Sequence, residues 1–302
     1  MLRSVILLAI VACGGSHAQG NSTNTPVLIW HGMGDTCCFP FSMGRIKKMI
    51  EEHIPGIYVH SLMIGSNIIV DEERGYLGNA NEEVDDVCNY IANDIELQNG
   101  FHAMGFSQGG QFLMAVAERC PNVVMKNLIT FGGQLQGVFG LPNCAGDNLI
   151  CEEIRRLLNL GAYIDYIQEG LIQAQYWHDP LDLELFKEKS IFLADLLNAK
   201  DIKNETYSEN LQKLENFVMV RFLQDTMVIP QESEWMGFYA PGQDKDVLTL
   251  QETQLYTEDW LGLKAMDEAG KLHFLSFEGE HLQFSDEWFV TEILDNFVVD
   301  PQ

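Results

Sequence analysis

Hydrophobic and polar positions follow two alternating patterns along this chain of 302 residues. Short apolar runs rich in β-branched residues predict strands at 26–30, 56–64, 100–106, 127–133, 217–223 and 272–277. Between them, apolar residues at helical spacing predict helices, most clearly over Met43–His53 and Gln108–Arg119. Strands that alternate with helices indicate an α/β fold, with a mostly parallel central sheet covered by helices on both faces.

The stretch from about residue 140 to 210 interrupts this alternation. It has no convincing strand pattern, and its apolar residues are dense and helically spaced. We therefore predict a helical insertion within a single domain that spans residues 19–302. Two interpretations of the insertion remain open: its helices pack only onto the sheet, or they form a cap with an apolar groove above a site below.

The first 18 residues have the pattern of a secretory signal peptide. Arg3 precedes the apolar run Val5–Ala12, and Ser16-His17-Ala18 provides a cleavage site of small residues. The apolar run is shorter than the roughly 20 residues of a transmembrane helix, and no other stretch is long enough. We expect a chain that enters the secretory pathway and has no transmembrane segment.

Two N-x-[ST] sequons suit that route and predict glycosylation on the surface, at Asn21 and Asn204. Six cysteines remain after removal of the signal peptide: Cys37, Cys38, Cys88, Cys120, Cys144 and Cys151. In an oxidising compartment these six are candidates for three disulfides, although the residues alone do not determine the pairing. The absence of C-x-x-C and H-E-x-x-H motifs argues against a metal site.

The charge of the chain excludes one class of function. Against 44 acidic residues there are 18 basic ones, giving a net charge of -26 that repels phosphate backbones, so we expect no nucleic-acid partner. The acidic runs at 71–73 and 82–86 lack the spacing of a calcium-binding loop and are predicted to be solvated faces.

The clearest chemical signal is a G-x-S-x-G motif, Gly105-Phe106-Ser107-Gln108-Gly109. It directly follows a predicted strand and begins a predicted helix, which is the context of a nucleophile elbow. Glycines allow the tight turn that exposes the serine, and the helix N-terminus favours developing negative charge. Ser107 is therefore the predicted nucleophile.

A serine nucleophile of this kind needs an acid and then a histidine later in the chain, each following a strand. Asp225 follows the strand at 217–223, and His281 follows the strand at 272–277. His273 lies within its strand and His178 within the helical insertion, so both are predicted to be structural. An oxyanion hole requires two N–H donors, for which we predict Gln108 and, in the glycine-rich loop 31–35, Met33.

Several motifs resemble those of the palmitoyl-protein thioesterases, in particular the lysosomal type 1 group. They are HGMGD at 31–35, GFSQGG at 105–110, IFLAD at 191–195, SEWMGFY at 233–239, LQETQLYTEDWLGLKAMDEAG at 250–270 and EGEHLQ at 278–283. The resemblance runs from about Pro26 to Phe297. It implies the α/β-hydrolase fold, a triad of Ser107, Asp225 and His281, and oxyanion donors at Met33 and Gln108.

The same resemblance implies disulfides between Cys37 and Cys38, Cys88 and Cys120, and Cys144 and Cys151, and an acyl groove formed by the helical insertion. It also implies a lysosomal location with some secretion, S-acylated proteins or peptides as substrates, a free fatty acid as product, no cofactor, and a sorting receptor as a further partner. Residues 188–190 and 224–226 lack sequons that family members often carry there, so the number of glycans is expected to differ.

The expected activity is hydrolysis of the thioester bond between a long-chain acyl group, such as palmitate, and a cysteine, through an acyl-enzyme on Ser107. Because a Ser-His-Asp triad does not identify the leaving group, a secreted lipase or carboxylesterase is an alternative. A second alternative is a catalytically inactive protein of the same fold that binds lipid. Which acylated proteins are substrates, the preferred chain length, the pH optimum and the oligomeric state are not encoded in any recognisable pattern.

Overall fold

The computed structural model describes residues 24–140 and 149–300. Within these residues the central sheet has six strands, and every neighbouring pair is parallel. The strands are β1 (Val27–Trp30), β2 (Val59–Ser61), β3 (Phe101–Phe106), β4 (Met125–Phe131), β5 (Asn216–Phe222) and β8 (Leu272–Phe277), and their order is β2-β1-β3-β4-β5-β8. A separate antiparallel pair consists of β6 (Phe238–Tyr239) and β7 (Val247–Leu248).

The helices lie between and after these strands. In chain order they are α1 (Met43–His53), α2 (Ile68–Arg74), α3 (Ala80–Asn93), α4 (Gln108–Arg119), α5 (Leu149–Gly161), α6 (Asp165–Gly170), α7 (Ile172–Gln175), α8 (Leu183–Lys189), α9 (Leu193–Leu196), α10 (Glu205–Leu211), α11 (Gln254–Thr257), α12 (Leu263–Glu268), α13 (Asp286–Trp288) and α14 (Asp295–Phe297). Short 3-10 helices span Gln231–Trp235 and Leu250–Glu252, and a π-helical turn spans Phe289–Leu294.

The sheet separates two hydrophobic cores because successive side chains of a strand point to opposite faces. Leu28 and Trp30 of β1 belong to one core, together with Phe112 of α4. Ile29 belongs to the other core, together with Ile46 of α1 and residues of the C-terminal helices. This arrangement confirms the predicted α/β class and the α/β-hydrolase architecture, with the sheet buried on both sides.

The region between β4 and β5 is helical wherever the structure describes it. Helices α5 to α10 follow one another between residues 149 and 211. Single bridges join Leu77 to Leu171 and Val138 to Trp177, so the helices are attached to the rest of the domain. Across residues 24–140 and 149–300, no helix has both the length and the apolar character needed to cross a bilayer.

Two details of the sequence interpretation are wrong. Strand β2 is only three residues long, much shorter than the predicted 56–64, since it lies at the edge of the sheet and pairs only with β1. The acidic runs are not wholly solvated, because the helical period turns one member of each inward. Asp71 in α2 and Glu83 in α3 are buried, while their neighbours Glu73 and Glu82 are exposed.

Disulfides join Cys37 to Cys38, in the loop after β1, and Cys88 in α3 to Cys120 at the end of α4. The Cα atoms of the second pair are 5.3 Å apart, within the normal range for a disulfide. Cys144, the proposed partner of Cys151, lies outside the described residues, as do Asn21 and the predicted signal peptide.

Candidate active site

Ser107 lies at the junction of β3 and α4, at the centre of the sheet. Its backbone has a φ of 52° and a ψ of -121°, a strained conformation for a residue with a side chain. The surrounding glycines make this turn possible: a Cβ atom on Gly105 would lie 2.3 Å from the Cα of Gly110, and one on Gly109 would lie 2.4 Å from the carbonyl oxygen of Trp30. The motif therefore forms the strand–turn–helix elbow predicted from its sequence.

The three predicted catalytic side chains come together at the carboxyl ends of β3, β5 and β8. The Nε2 atom of His281 lies 2.9 Å from the Oγ atom of Ser107. On the other side of the ring, Nδ1 forms a hydrogen bond with Oδ2 of Asp225. An imidazole in this position can accept the serine proton while the carboxylate fixes its tautomer and orientation.

Asp225 is held as a carboxylate. Its side chain is fully buried, and its Oδ1 atom accepts N–H bonds from Met227 at 2.6 Å and Val228 at 3.1 Å. Burial opposes ionisation, but the hydrogen bond and charge of His281 outweigh it, so the pKa of Asp225 lies below its ordinary value. The acid can thus stabilise a positive charge on the imidazole.

The glycine-rich loop after β1 packs directly against the serine. A Cβ atom on Gly32 would lie 3.0 Å from Cβ of Ser107, so a larger residue would push the loop away from the nucleophile. Met33, which follows, lines the same cavity as Ser107, and Gln108 begins helix α4. The N–H groups of Met33 and Gln108 remain the predicted oxyanion donors.

A cavity of about 120 Å³ opens above the nucleophile. Ser107 and His281 contribute polar atoms to it, and apolar walls come from both the core domain and the helical insertion. Its apolar or aromatic lining residues are Met33, Val138, Leu158, Tyr176, Met227, Val228 and Leu282. Leu158 belongs to α5 and Tyr176 follows α7, so the insertion contributes to the wall of the site.

The sequence interpretation missed the role of Asp71. Its buried carboxylate accepts hydrogen bonds from Thr36 Oγ1 at 2.5 Å, Cys37 N–H at 2.9 Å and Ile64 N–H at 2.6 Å, and it pairs with Nε2 of His31 at 2.9 Å. One carboxylate therefore binds both ends of the loop that packs against Ser107. The only signal in the sequence was the histidine with which that loop begins, His31.

The rival histidines have structural contacts. His178 is stacked between Phe186 and Phe238, with ring centroids 4.2 and 4.1 Å away, and its Nδ1 contacts the carbonyl oxygen of Gln136. Burial lowers the pKa of His178 to about 4. His273 lies on β8 and contacts Oδ1 of Asn216 at 2.8 Å. Within the described part of the chain, neither histidine forms a hydrogen bond with Ser107.

Among the described residues, no group of three or more His, Cys, Asp or Glu side chains could hold a metal ion.

Comparison with known proteins identifies the family to which the chain belongs. A sequence profile described as palmitoyl protein thioesterase matches residues 26–281. The chain is 50% identical to palmitoyl-protein thioesterase 1 of Caenorhabditis elegans over 292 residues, covering 97% of this chain and 98% of that protein. It is 33% identical to palmitoyl-protein thioesterase 3 of Dictyostelium discoideum, covering 99% and 98%. A lysosomal thioesterase PPT2 homolog of Drosophila melanogaster is 26% identical, covering 90% and 89%.

Solved structures with similar backbones include a monoacylglycerol lipase of Paleococcus ferrophilus, at 15% identity and a TM-score of 0.46, covering 90% of this chain and 95% of that one. The esterase Est1E of Butyrivibrio proteoclasticus has 13% identity and a TM-score of 0.49, covering 92% and 90%.

Proposed function

The chain belongs to the palmitoyl protein thioesterase family, and from this premise we propose that Ser107, His281 and Asp225 are its catalytic residues. The enzyme hydrolyses the thioester bond between a long-chain fatty acyl group and a cysteine of a protein or peptide. The observation that carries the assignment is the 2.9 Å contact between Ser107 Oγ and His281 Nε2 at the wall of an apolar cavity.

In the first half of the reaction, Oγ of Ser107 attacks the carbonyl carbon and its proton passes to Nε2 of His281. Asp225 holds the Nδ1–H of the resulting imidazolium. The oxygen of the tetrahedral intermediate accepts hydrogen bonds from the N–H groups of Met33 and Gln108. Collapse of the intermediate expels the cysteine sulfur, which takes the proton from His281, and leaves the acyl group on Ser107.

In the second half, His281 removes a proton from a water molecule, whose oxygen attacks the acyl carbonyl. The proton then returns to Oγ of Ser107, and a free fatty acid leaves. A cysteine thiol has a pKa near 8.5, so it leaves with less help from a general acid than an amine requires. A thioester therefore suits a site with a single histidine as acid and base.

The apolar walls above Ser107 support a fatty acyl substrate. A chain of about 15 methylenes gains on the order of 10 kcal/mol when fully buried, before losses from immobilisation. The helices of the insertion, within about 140–210, contribute Leu158 and Tyr176 to those walls. We assign the acyl chain to this cavity.

The route and partners are further parts of the proposal. Residues 1–18 direct the chain into the secretory pathway, and it functions in the lysosome and is also secreted. Relatives with the word lysosomal in their names support this location. Asn204 is exposed at the start of α10, where a glycan could be attached and recognised by a sorting receptor; Asn21 is the second glycosylation candidate. S-acylated proteins are the substrates.

The test compares the wild type with Ser107→Ala on a palmitoyl-cysteine peptide. We expect the variant to lose turnover by about 10⁴-fold or more, while its circular dichroism spectrum is unchanged. Near-normal turnover by the variant would contradict the assignment. Triglyceride and short-chain ester substrates separate this activity from that of a lipase or carboxylesterase, and covalent labelling by a serine-directed phosphonate separates it from an inactive lipid-binding protein.

A further inference from the structure

A second carboxyl group lies against the acid of the triad. Glu234 belongs to the short helix Gln231–Trp235, and its side chain is fully buried. Its Oε2 atom accepts the N–H of Phe222, the last residue of β5, at 2.8 Å. Its carboxyl group lies within hydrogen-bonding reach of the carboxyl group of Asp225. The pair occupies the end of the strand from which Asp225 is presented to His281.

Two carboxyl groups in hydrogen-bond contact need a proton between them, because two carboxylates have only acceptor atoms. The environment decides which group holds it. Asp225 receives two N–H bonds and the imidazole of His281, all of which favour its charged form. Glu234 accepts one N–H bond on Oε2, and its buried Oε1 atom has no hydrogen-bond partner among the described residues. A proton on Glu234 supplies the donor that a contact between two carboxylates lacks.

The charged groups around Glu234 agree with this distribution. The nearby cation is Arg221, but its guanidinium binds Gln231 Oε1 at 2.6 Å and Glu232 Oε1 at 2.9 Å, and it lies over the ring of Trp235. The nearby anion is Asp225 itself. Burial, followed by the charge of Asp225, raises the pKa of Glu234 to about 10, so the acid keeps its proton at neutral and acidic pH.

We propose that Glu234 is a positioning residue of the catalytic machinery, a permanently protonated acid whose O–H donates a hydrogen bond to Asp225. This role rests on the proposed triad. No proton leaves Glu234 during the reaction. Its hydrogen bond fixes the orientation of the Asp225 carboxylate and withdraws charge from it, so that Asp225 stays ionised and does not bind the imidazolium of His281 too tightly.

This arrangement has a consequence for the acid side of the pH–activity profile. Without the donor, the Asp225 carboxylate becomes more basic and takes up a proton at a higher pH. Loss of the donor therefore moves the acid limb of kcat toward higher pH.

The experiment compares Glu234→Gln, which keeps a neutral donor and an acceptor, with Glu234→Leu, which keeps neither. Hydrolysis of a palmitoyl-cysteine peptide is measured from pH 4 to 8. For Glu234→Leu we expect kcat to fall about tenfold or more, KM to stay near the wild-type value, and the acid limb to move up by about one pH unit. Glu234→Gln should retain kcat within about threefold and the wild-type acid limb.

A matched control is Glu118→Leu. Glu118 is another fully buried glutamate, and it lies near the C-terminal end of α4 on a turn remote from Ser107. Its removal should leave the acid limb unchanged, whatever it does to stability. Equal loss of kcat in Glu234→Gln and Glu234→Leu would overturn the proposal, because the isosteric amide preserves the donor. An unshifted acid limb in a folded Glu234→Leu would overturn it as well.

Infrared difference spectroscopy at neutral pH tests the protonation of Glu234 directly, whether or not Glu234→Leu folds. The wild type minus Glu234→Gln should show the C=O stretch of a protonated carboxyl group, and a carboxylate band in its place would overturn the proposal. Failure of the triad itself has a different signature. If Asp225→Asn retained full turnover or the phosphonate did not label Ser107, the triad would be wrong whatever Glu234 does.

Discussion

His31 and Asp71 form a buried ion pair at the start of the loop that packs against Ser107, with Nε2 and Oδ1 2.9 Å apart. Burial opposes the charge on each partner, but the hydrogen bond and the charge of the other outweigh it, so the pKa of His31 is raised and that of Asp71 is lowered. Since Asp71 also binds Thr36 and Cys37, the pair fixes the loop that supplies the proposed Met33 donor.

Asp71→Asn should therefore damage both stability and catalysis. The substitution leaves His31 buried without its counter-charge, for which we expect the free energy of unfolding to fall by about 3–5 kcal/mol. A displaced loop also weakens the oxyanion hole, so kcat should fall by about 10²-fold. Urea denaturation and steady-state kinetics measure the two effects. Asp86→Asn, in the second acidic run, changes an exposed residue and should alter neither.

The contribution of this ion pair to stability should depend on pH in a defined window. The raised pKa of His31 contributes stability that is complete below about 6.5, its unfolded value, and is lost as the pH rises through the folded pKa. The lowered pKa of Asp71 contributes stability that is present above about 3.8 and is lost as the pH falls. The difference in unfolding free energy between the wild type and Asp71→Asn should be largest between about pH 4 and 6.5.

Glu118 should make the protein less stable as the pH rises. Its side chain is fully buried and neither carboxyl oxygen has a partner among the described residues, so burial raises its pKa well above 4.5. Below about pH 4.5 the group is protonated in both states and has no effect. Above that value the unfolded chain releases the proton and the folded chain does not, so unfolding becomes progressively more favourable.

Glu118→Gln removes this penalty. We expect the variant to exceed the wild type in unfolding free energy by about 1 kcal/mol or more at pH 7, and to equal it near pH 4. Thermal melts at both pH values provide the measurement. Glu209→Gln changes an exposed glutamate on the neighbouring helix α10 and serves as the control. A stability gain of the same size at pH 4 would show that packing, and not protonation, is responsible.

The disulfide between Cys88 and Cys120 should contribute to stability through the unfolded chain. Its cysteines are 32 positions apart, and closing a loop of this length removes about 3–4 kcal/mol of conformational freedom from the unfolded state. The double substitution Cys88→Ser with Cys120→Ser should lower the unfolding free energy by about that amount without changing KM. Equilibrium denaturation under non-reducing conditions provides the measurement.

The adjacent pair is the natural comparison for that experiment. Cys37 and Cys38 close almost no loop, so Cys37→Ser with Cys38→Ser should cost less stability. It should change kcat more, because the N–H of Cys37 binds Asp71 next to the loop of the site. Equal losses of stability in the two double variants would contradict the loop-length argument.

The fold and the arrangement of the triad could be predicted because each rests on a local pattern. Strand β8 and helices α1 and α4 have the predicted bounds. Ser107, Asp225 and His281 each follow a buried strand, and the carboxyl ends of parallel strands meet at one edge of the sheet. Chain order and strand position were enough to select these three residues.

Asp71 and Glu234 could not be found in this way. Asp71 stands in an acidic run that looks like a solvated face, and its burial is decided by the packing of α2 against the loop after β1. Glu234 lies in a short 3-10 helix whose position against the end of β5 is a tertiary contact. The sequence around an aspartate or glutamate does not reveal which groups contact its side chain. A buried acid can therefore be recognised only when the packing is known.

The wall of the cavity should control the length of the acyl chain that the enzyme accepts. Leu158 of α5 is buried and lines the cavity above Ser107. In Leu158→Trp, the larger ring occupies space that a long chain needs but that an acetyl group does not, so kcat/KM should fall at least tenfold for a palmitoyl thioester relative to an acetyl thioester. Leu160→Trp, on the same helix but with a side chain 56% exposed, should leave the ratio unchanged. Parallel losses on both substrates in Leu158→Trp would mean that the ring disturbs the triad, and an unchanged ratio would move the acyl chain to another path.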